Sequence, residues 1–270
     1  MRTQRSFVKI YRGTPPISVE REQEMTPKSN TLFHFTQNME TLKHILRGGF
    51  WPRYCLEDVS WLGYEQHDYV AYPMVCFCEI PLSRISDHVE FYGRFGIGLT
   101  RQWAEKNGLN PVFYVSGGNN ISGSFRAFNE LATIKDNDKL TIELKTVMRE
   151  LLAFTKPTVG KMFYEDRPVE KVFYQESEWR YVPKQSEVRP YIIKKQHDNE
   201  DLRSALNDKT KEFAMLKIAP SDIRYIFVRQ DSDIPEIVNF IQGELDHFTG
   251  ADQKVLASRV VSLESLHYDM

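Results

Sequence analysis

Cysteines and long apolar runs are scarce in this 270-residue sequence. It has only three cysteines, Cys55, Cys76 and Cys78. That number is too small, and odd, for a disulfide framework, so we expect a reducing environment. No run of about eighteen apolar residues occurs, and no apolar core of signal-peptide length follows the first residues. Together these absences predict a cytoplasmic protein without a membrane span.

A strong excess of either charge is also missing. The formal net charge is −2 and the pI is about 6.4, so no global signal predicts nucleic-acid binding, although a local basic groove is compatible with these values. Internal repeats and low-complexity tracts are absent too. Aromatic residues, in contrast, make up 13% of the chain, and this share favours a well-packed fold over disorder.

The order of segments predicts an N-terminal arm over residues 1–30 and one mixed α/β domain over residues 31–270, since no composition break divides the chain. Strands are expected at 32–36, 72–82, 96–99, 112–115, 170–182, 188–194, 212–218, 223–229 and 260–263. Helices are expected at 38–48, 83–92, 100–107, 125–155, 199–207 and 233–246.

The domain is organised around the first strand and helix. His34 and Thr36 are polar residues of an otherwise apolar strand, and they share one face because they alternate. Asn38 can cap the following helix, and Gly48 or Gly49 can end it. A polar pair beside helix N–H groups would suit an anionic ligand. The alternative is a core histidine with one satisfied hydrogen bond.

A second polar stretch comes late in the chain. If residues 172–182 are extended, Glu176, Glu178 and Arg180 share one face. Two carboxylates spaced in this way can take complementary roles in one site, and a neighbouring ring can shift the pKa of either. The alternative is a solvated strand face on which Glu178 pairs with Arg180.

Two other constellations were weighed. Cys55, Cys76, Cys78 and His88 could form a zinc site, but their surroundings are apolar and Cys-x-x-Cys knuckles are absent, so buried thiols are the preferred interpretation and no metal is expected. The glycines at 93, 96 and 98 lack the Walker lysine and the Rossmann order, so they indicate nucleotide binding only weakly.

Several stretches together resemble the AbiGi-type abortive-infection family of bacterial phage-resistance proteins. They are residues 32–50, 51–54, 71–82, 92–99 and 176–180. The resemblance covers roughly residues 30–230. It implies an antiviral defence role as an antitoxin, paired with a nucleotidyltransferase-like toxin.

The order of motifs is also similar, more distantly, to the DarT-type ADP-ribosyltransferases. The resemblance implies an ADP-ribosyltransferase-like split sheet and NAD as substrate. By motif and order, His34 and Thr36 would anchor NAD, Arg53 would contact its phosphates and serve catalysis, and Glu178 would be catalytic. Glu176, with Glu178, looks like the Glu-x-Glu signature of arginine-modifying enzymes, in which the first glutamate helps to activate the acceptor.

The aromatic loop after Arg53 would complete such a site, because Trp61, Tyr64 or Tyr69 could stack on nicotinamide. The leading hypothesis is therefore an anti-phage protein that transfers ADP-ribose or cleaves NAD. The acceptor macromolecule is left open. The contrasting hypothesis is a non-catalytic antitoxin or interaction protein that neutralises a partner toxin.

Overall fold

The computed structural model describes residues 29–63, 68–117, 120–131, 139–164 and 167–269. The arm expected over residues 1–30 lies outside the described residues except for its last two positions, and Tyr64 also lies outside them.

The described ranges contain thirteen strands and ten α-helices. The strands are β1 (Thr31–Thr36), β2 (Arg53–Asp58), β3 (Tyr69–Cys78), β4 (Phe95–Thr100), β5 (Asn110–Pro111), β6 (Phe113–Val115), β7 (Thr155–Pro157), β8 (Val159–Tyr164), β9 (Arg167–Val172), β10 (Glu178–Tyr181), β11 (Ile192–Ile193), β12 (Ile223–Val228) and β13 (Val260–Ser262). The helices are α1 (Met39–Gly48), α2 (Ile85–Tyr92), α3 (Arg101–Lys106), α4 (Asn120–Leu131), α5 (Lys139–Ala153), α6 (Lys194–His197), α7 (Glu200–Phe213), α8 (Ile234–Glu244), α9 (Gly250–Ala257) and α10 (Leu263–Asp269). The mixed α/β class is therefore confirmed.

The central sheet runs in the order β13-β12-β4-β1-β3-β10-β5, and β2 and β11 also pair with β3. The long strand β3 changes partners along its length. Its end pairs with β10 over residues 75–78 and with β1 only at Phe33–Cys78. Its first part pairs with β2 over residues 69–74 and with β11 at residues 70 and 71. The sheet thus divides along β3, near Cys76.

Apolar side chains cover both faces of the sheet. The larger core joins the buried stripes of α1, α3 and α8, represented by Leu42, Trp103 and Phe240, to the sheet residues Ile97 and Ile226. The smaller core packs the other face against α2 and α10. Since each fully buried large apolar side chain contributes about 1.5–3 kcal/mol, these two layers hold the sheet in place.

The first strand and helix form as the sequence predicts. Asn38 is the N-cap of α1, and its Oδ1 accepts from the Thr41 N–H at 2.9 Å. Gly49 ends the helix with a φ of 89°, and its N–H donates to the Ile45 carbonyl. The positive φ explains the glycine there.

Other predicted elements are wrong in detail. The helix expected over residues 125–155 is two helices, α4 and α5. The strand expected over 212–218 is the end of α7 followed by one bridge between Phe50 and Leu216. The strand expected over 170–182 is broken by a 3-10 helix, Phe173–Glu176, and by Ser177 with a φ of 44°. A turn in this place moves Glu176 off the strand that carries Glu178.

Among the residues that the structure describes, no helix is both long enough and apolar enough to cross a membrane.

Candidate functional site

A cavity of about 910 Å³ opens where the sheet divides along β3. Its size falls within the range of small-molecule sites, about 300–1,000 Å³. Four residues that the sequence singled out line it together: His34, Arg53, Glu176 and Glu178. They come from β1, β2, the 3-10 helix and β10, and the divided sheet brings them to one space.

His34 lies where β1 and β3 separate. Its Nδ1 is 2.8 Å from the Cys76 carbonyl oxygen. Because a carbonyl can only accept, Nδ1 carries the hydrogen, which leaves Nε2 of the neutral ring as an acceptor. Burial lowers the pKa of His34, and the bond to Cys76 opposes this only in part. His34 is therefore a neutral imidazole at physiological pH.

Thr36 does not join His34 at the wall of this cavity, contrary to the expected pairing. Thr36 is buried and absent from the cavity wall. Helix α1 lines the cavity from its first turn to its end, through Thr41, His44 and Gly48. After α1 the chain passes back beside β1, and the Phe50 ring packs 5.1 Å from the His34 ring.

A largely buried set of charged side chains lies at the inner wall, which Glu57, Lys156, Glu176 and Glu178 line. We call this set the ion cluster, and it contains Glu57, Lys156, Lys171, Glu176, Glu178 and Arg180. Arg180 Nε is 2.6 Å from Glu178 Oε1, and Lys156 Nζ is 2.9 Å from Glu178 Oε2. Arg180 also donates to Glu57 Oε2 at 2.7 Å and to the Ala153 carbonyl at 2.7 Å.

The charges of the ion cluster hold one another in the ionised state. Burial alone would raise the pKa of Glu178, but Arg180 and Lys156 outweigh it and hold that pKa well below its usual range. The same balance runs the other way for Lys156, since Glu178 and Glu57 raise its pKa despite burial. The interpretation of Glu178 as part of a solvated face is wrong: it does pair with Arg180, but only 4% of Glu178 is exposed.

Glu176 is held by a different set of partners. Tyr92 donates its hydroxyl to Glu176 Oε1, and Lys171 Nζ is 2.5 Å from the same oxygen. Lys156 Nζ lies 3.8 Å from the other oxygen. Burial, together with Glu176, raises the pKa of Tyr92 far above its usual value. Tyr92 is therefore a permanent donor to Glu176.

Arg53 stands at the outer part of the cavity. It is exposed, and its guanidinium carbon lies 4.0 Å from the centroid of the Trp51 ring. Lys211 of α7 lies 4.9 Å from the centroid of the same ring. The inner wall thus carries balanced charges, whereas this outer part presents cations.

Two of the expected nicotinamide-stacking residues, Trp61 and Tyr69, do not line the cavity. Tyr69 is half-buried at the start of β3, and Trp61 packs against Phe125, 5.4 Å between ring centroids. Tyr64 lies outside the described residues. The aromatic side chains that line the cavity are Phe33, Phe35, Phe50, Trp51, Phe77, Tyr92 and Phe173. The 3-10 helix Ser60–Leu62, which follows β2, packs against α4 instead.

The thiols and His88 offer little to a metal ion. Burial raises the pKa of Cys55 to about 11 and that of Cys76 well above its usual value, so both stay protonated. Burial lowers the pKa of His88, at the cavity wall, to about 4. Within the described ranges, no three His, Cys, Asp or Glu side chains could hold a metal ion together.

Sequence reasoning missed Glu57, Lys156 and Lys171. Glu57 sits in β2, Lys156 in the three-residue strand β7 and Lys171 in β9, and none lies in a motif. Lys156 stands between Thr155 and Pro157, in a segment too short to classify from the sequence. Its burial, 8% exposed, becomes visible only in three dimensions.

Comparison with known proteins identifies the family. A sequence model described as "Putative abortive phage resistance protein AbiGi, antitoxin" matches residues 49–229, which is more than half of the chain. This chain belongs to the AbiGi family. The resemblance drawn from the sequence is thereby confirmed, and the segment matched spans β2 to β12, including Arg53, Glu176 and Glu178.

A relative matches over a longer span. The abortive phage resistance protein AbiGi of Lactococcus lactis subsp. cremoris is 28% identical over 251 residues, which are 82% of this chain and 99% of that protein. No solved structure gave a significant match. The AbiGi assignment thus indicates a role in abortive phage resistance.

Proposed function

We propose that this AbiGi-family protein binds NAD in the divided-sheet cavity and, in abortive phage resistance, transfers its ADP-ribose or cleaves it. One observation carries the proposal: His34, Arg53, Glu176 and Glu178 line one cavity of about 910 Å³. These residues come from three distant parts of the sequence. The resemblance to DarT-type enzymes groups His34, Arg53 and Glu178, and the Glu-x-Glu signature adds Glu176.

The reaction would break the bond between ribose C1′ and the nicotinamide nitrogen. Nicotinamide leaves with the bonding electron pair, and C1′ bonds to an acceptor nucleophile or to water, which gives up a proton. The transition state resembles an oxocarbenium ion, so a fixed carboxylate stabilises it. Glu178 supports this role because Arg180 and Lys156 hold it ionised and immobile before any ligand binds.

The remaining residues would position the ligand. The unprotonated Nε2 of His34 can accept a hydrogen bond from a ribose hydroxyl, since Nδ1 is committed to Cys76. Arg53 offers permanently charged donors for phosphate oxygens. Glu176, oriented by Tyr92 and Lys171, would take the acceptor's proton.

The first experiment incubates the full chain with NAD and follows nicotinamide release, alone and with phage-infected lysate as the acceptor source. The variant is Glu178→Gln, and the matched control is Glu212→Gln on the exposed surface of α7. We expect Glu178→Gln to lower the rate at least about 100-fold, because a charge-stabilising group is lost, and Glu212→Gln to leave it unchanged. NAD binding by calorimetry accompanies both, since Glu178→Gln also disturbs the ion cluster.

Equal release by the wild type, Glu178→Gln and a protein-free blank, together with no NAD binding by the wild type, would refute the proposal.

A second candidate is a non-catalytic antitoxin. The family description supports it, and so does the full engagement of Glu178 by Arg180 and Lys156, which resembles a structural ion cluster. This candidate predicts that the chain co-purifies with the product of a neighbouring gene and relieves its toxicity, and that Glu178→Gln relieves it equally when folded. A monomer that is active alone would contradict it.

A further inference from the structure

We propose that Trp51, Arg53 and Lys211 form a clamp for the pyrophosphate of the ligand. The inference rests on the proposed function, because it places the phosphates of the same dinucleotide. It adds Lys211 and helix α7 to the binding site, and it assigns Trp51 a scaffold role instead of a base-stacking role.

The first argument is the distribution of charge in the cavity. Every cation of the ion cluster has a carboxylate within 4.0 Å. At the outer part, Arg53 and Lys211 lie beside Trp51, and among the described residues neither forms an ion pair with a carboxylate. Two cations gathered at one cavity wall without counter-charges favour a dianion, and the pyrophosphate bridge of a dinucleotide carries two negative charges.

The second argument is that hydrogen bonds to helix α7 hold the Trp51 indole in place. Its Nε1–H donates to the Asn207 carbonyl oxygen at 2.8 Å, with Thr210 Oγ1 3.0 Å away. Thr210 in turn donates to the Pro52 carbonyl oxygen at 2.5 Å. Asn207 and Thr210 are 3% and 0% exposed. The indole is thus bonded to α7 and cannot swing away.

The third argument is that both cations directly follow anchored residues. Arg53 comes after Pro52 and Lys211 after Thr210, and the Thr210 hydroxyl joins those two positions. The Tyr54 N–H adds a further bond, to Asn207 Oδ1 at 3.0 Å. The start of β2 and the end of α7 are therefore held at a fixed distance. Because the cations are placed before binding, less conformational entropy is lost when an anion binds.

Trp51 itself would not stack a base. Arg53 and Lys211 both lie over its ring, at 4.0 and 4.9 Å from the centroid. A cation over an indole is attracted by the electrons of the ring face, so the ring orients the two cations. The adenine and nicotinamide rings must then find other contacts in the cavity, and Phe50 and Phe173 line it.

The test measures binding to the full chain by calorimetry at low ionic strength. The probes are inorganic pyrophosphate, ADP-ribose, NAD, adenosine and a short single-stranded DNA. The variants are Lys211→Met and Arg53→Met, and the control is Lys209→Met, which removes an exposed lysine of the same helix that does not line the cavity. Thermal unfolding shows that each variant is folded.

We expect Lys211→Met and Arg53→Met each to weaken ADP-ribose and pyrophosphate binding about tenfold, the loss of one charge-assisted hydrogen bond. Lys209→Met should bind both as the wild type does. Adenosine should bind no more weakly to the variants than to the wild type. Raised salt should reduce the difference between Lys211→Met and the wild type.

Three results would overturn the clamp. The first is no binding of pyrophosphate or ADP-ribose by the wild type, and the second is an equal effect of Lys211→Met and Lys209→Met. The third is DNA binding that requires Arg53 and Lys211 and that neither NAD nor ADP-ribose displaces. The outcome separates the two proposals. If ADP-ribose binding requires Arg53 and Lys211 but no nicotinamide is released, the clamp is supported and the proposed NAD cleavage is refuted. If NAD is cleaved at the same rate by the wild type and Lys211→Met, the cleavage is supported and the clamp is refuted.

Discussion

Removing the ammonium group of Lys156 should destabilise the fold strongly. Lys156 Nζ lies 2.9 Å from Glu178, 3.8 Å from Glu176 and 4.0 Å from Glu57, and only 8% of the residue is exposed. In Lys156→Met three carboxylates would face fewer cations in a buried space. Breaking a buried ion pair by removing one partner costs about 3–5 kcal/mol, because the charge that stays behind has lost its compensation. We expect a loss of that size in the free energy of unfolding at pH 8.

The loss should shrink in acid, and the sign follows from the pKa values. In the wild type the pKa of Glu178 lies below its usual range, so the stabilisation that it contributes is present above the unfolded-state pKa, about 4.3, and is lost as pH falls through the folded-state value. Without Lys156 the folded-state pKa rises, and the carboxyl group takes up a proton sooner. The difference between wild type and variant should therefore be largest at pH 8 and clearly smaller near pH 4.5.

Urea unfolding followed by circular dichroism at pH 8, 6 and 4.5 measures both effects. Lys209→Met is the control, since it removes an exposed lysine, and surface changes of this kind usually stay within about 0.5 kcal/mol. If Lys156→Met loses less than about 1 kcal/mol at pH 8, or loses the same amount at every pH, the ion cluster does not hold the inner wall as described.

Three further predictions concern His88, Gly93 and Asn207. Burial lowers the pKa of His88 to about 4, whereas the unfolded-state value is about 6.5, so stability should fall as pH drops from about 6.5 toward 4. His88→Gln should make that fall less steep in urea titrations. The same pH dependence in wild type and variant would contradict this prediction. Gly93 has a φ of 111°, and an added Cβ would lie 2.2 Å from the Thr36 carbonyl oxygen, so Gly93→Ala should lower the free energy of unfolding by more than about 2 kcal/mol. The control is Gly243→Ala in α8, where an added Cβ would meet nothing within 4 Å, so this substitution should be neutral or stabilising by up to about 1 kcal/mol. Equal effects of the two substitutions would contradict the strain argument. Asn207→Ala should cost about 1–3 kcal/mol, because the buried Tyr54 N–H loses its acceptor; wild-type stability would show that water or another group replaces the bond.

Local patterns predicted the elements whose signals lie close together in the sequence. The alternation of polar and apolar residues predicts the strand with His34. One apolar stripe and the capping residue Asn38 predict the helix that follows, and both elements are present. The same reasoning failed over residues 170–182, where alternation predicts one long strand. Ser177 adopts a φ of 44°, a conformation that L-residues with a side chain rarely adopt, and no residue type there announces the break.

The candidate site shows the same division. His34, Arg53, Glu176 and Glu178 could be proposed because they fall in short motifs, and all four line one cavity. Thr36 belongs to the same motif as His34, and Tyr69 to the aromatic loop after Arg53, but neither lines the cavity. The partners of Glu178 could not be predicted, because Lys156 comes from a separate strand that only the tertiary fold brings to the site. Ion pairs between distant segments leave no periodicity to detect.

The most direct measurement is a crystal structure of the full chain with an NAD analogue whose glycosidic bond resists cleavage. We predict that the analogue occupies the divided-sheet cavity, with its pyrophosphate beside Arg53 and Lys211 and its nicotinamide ribose within hydrogen-bond distance of Glu178. Binding anywhere else, or a cavity that stays empty at saturating analogue, would contradict the account.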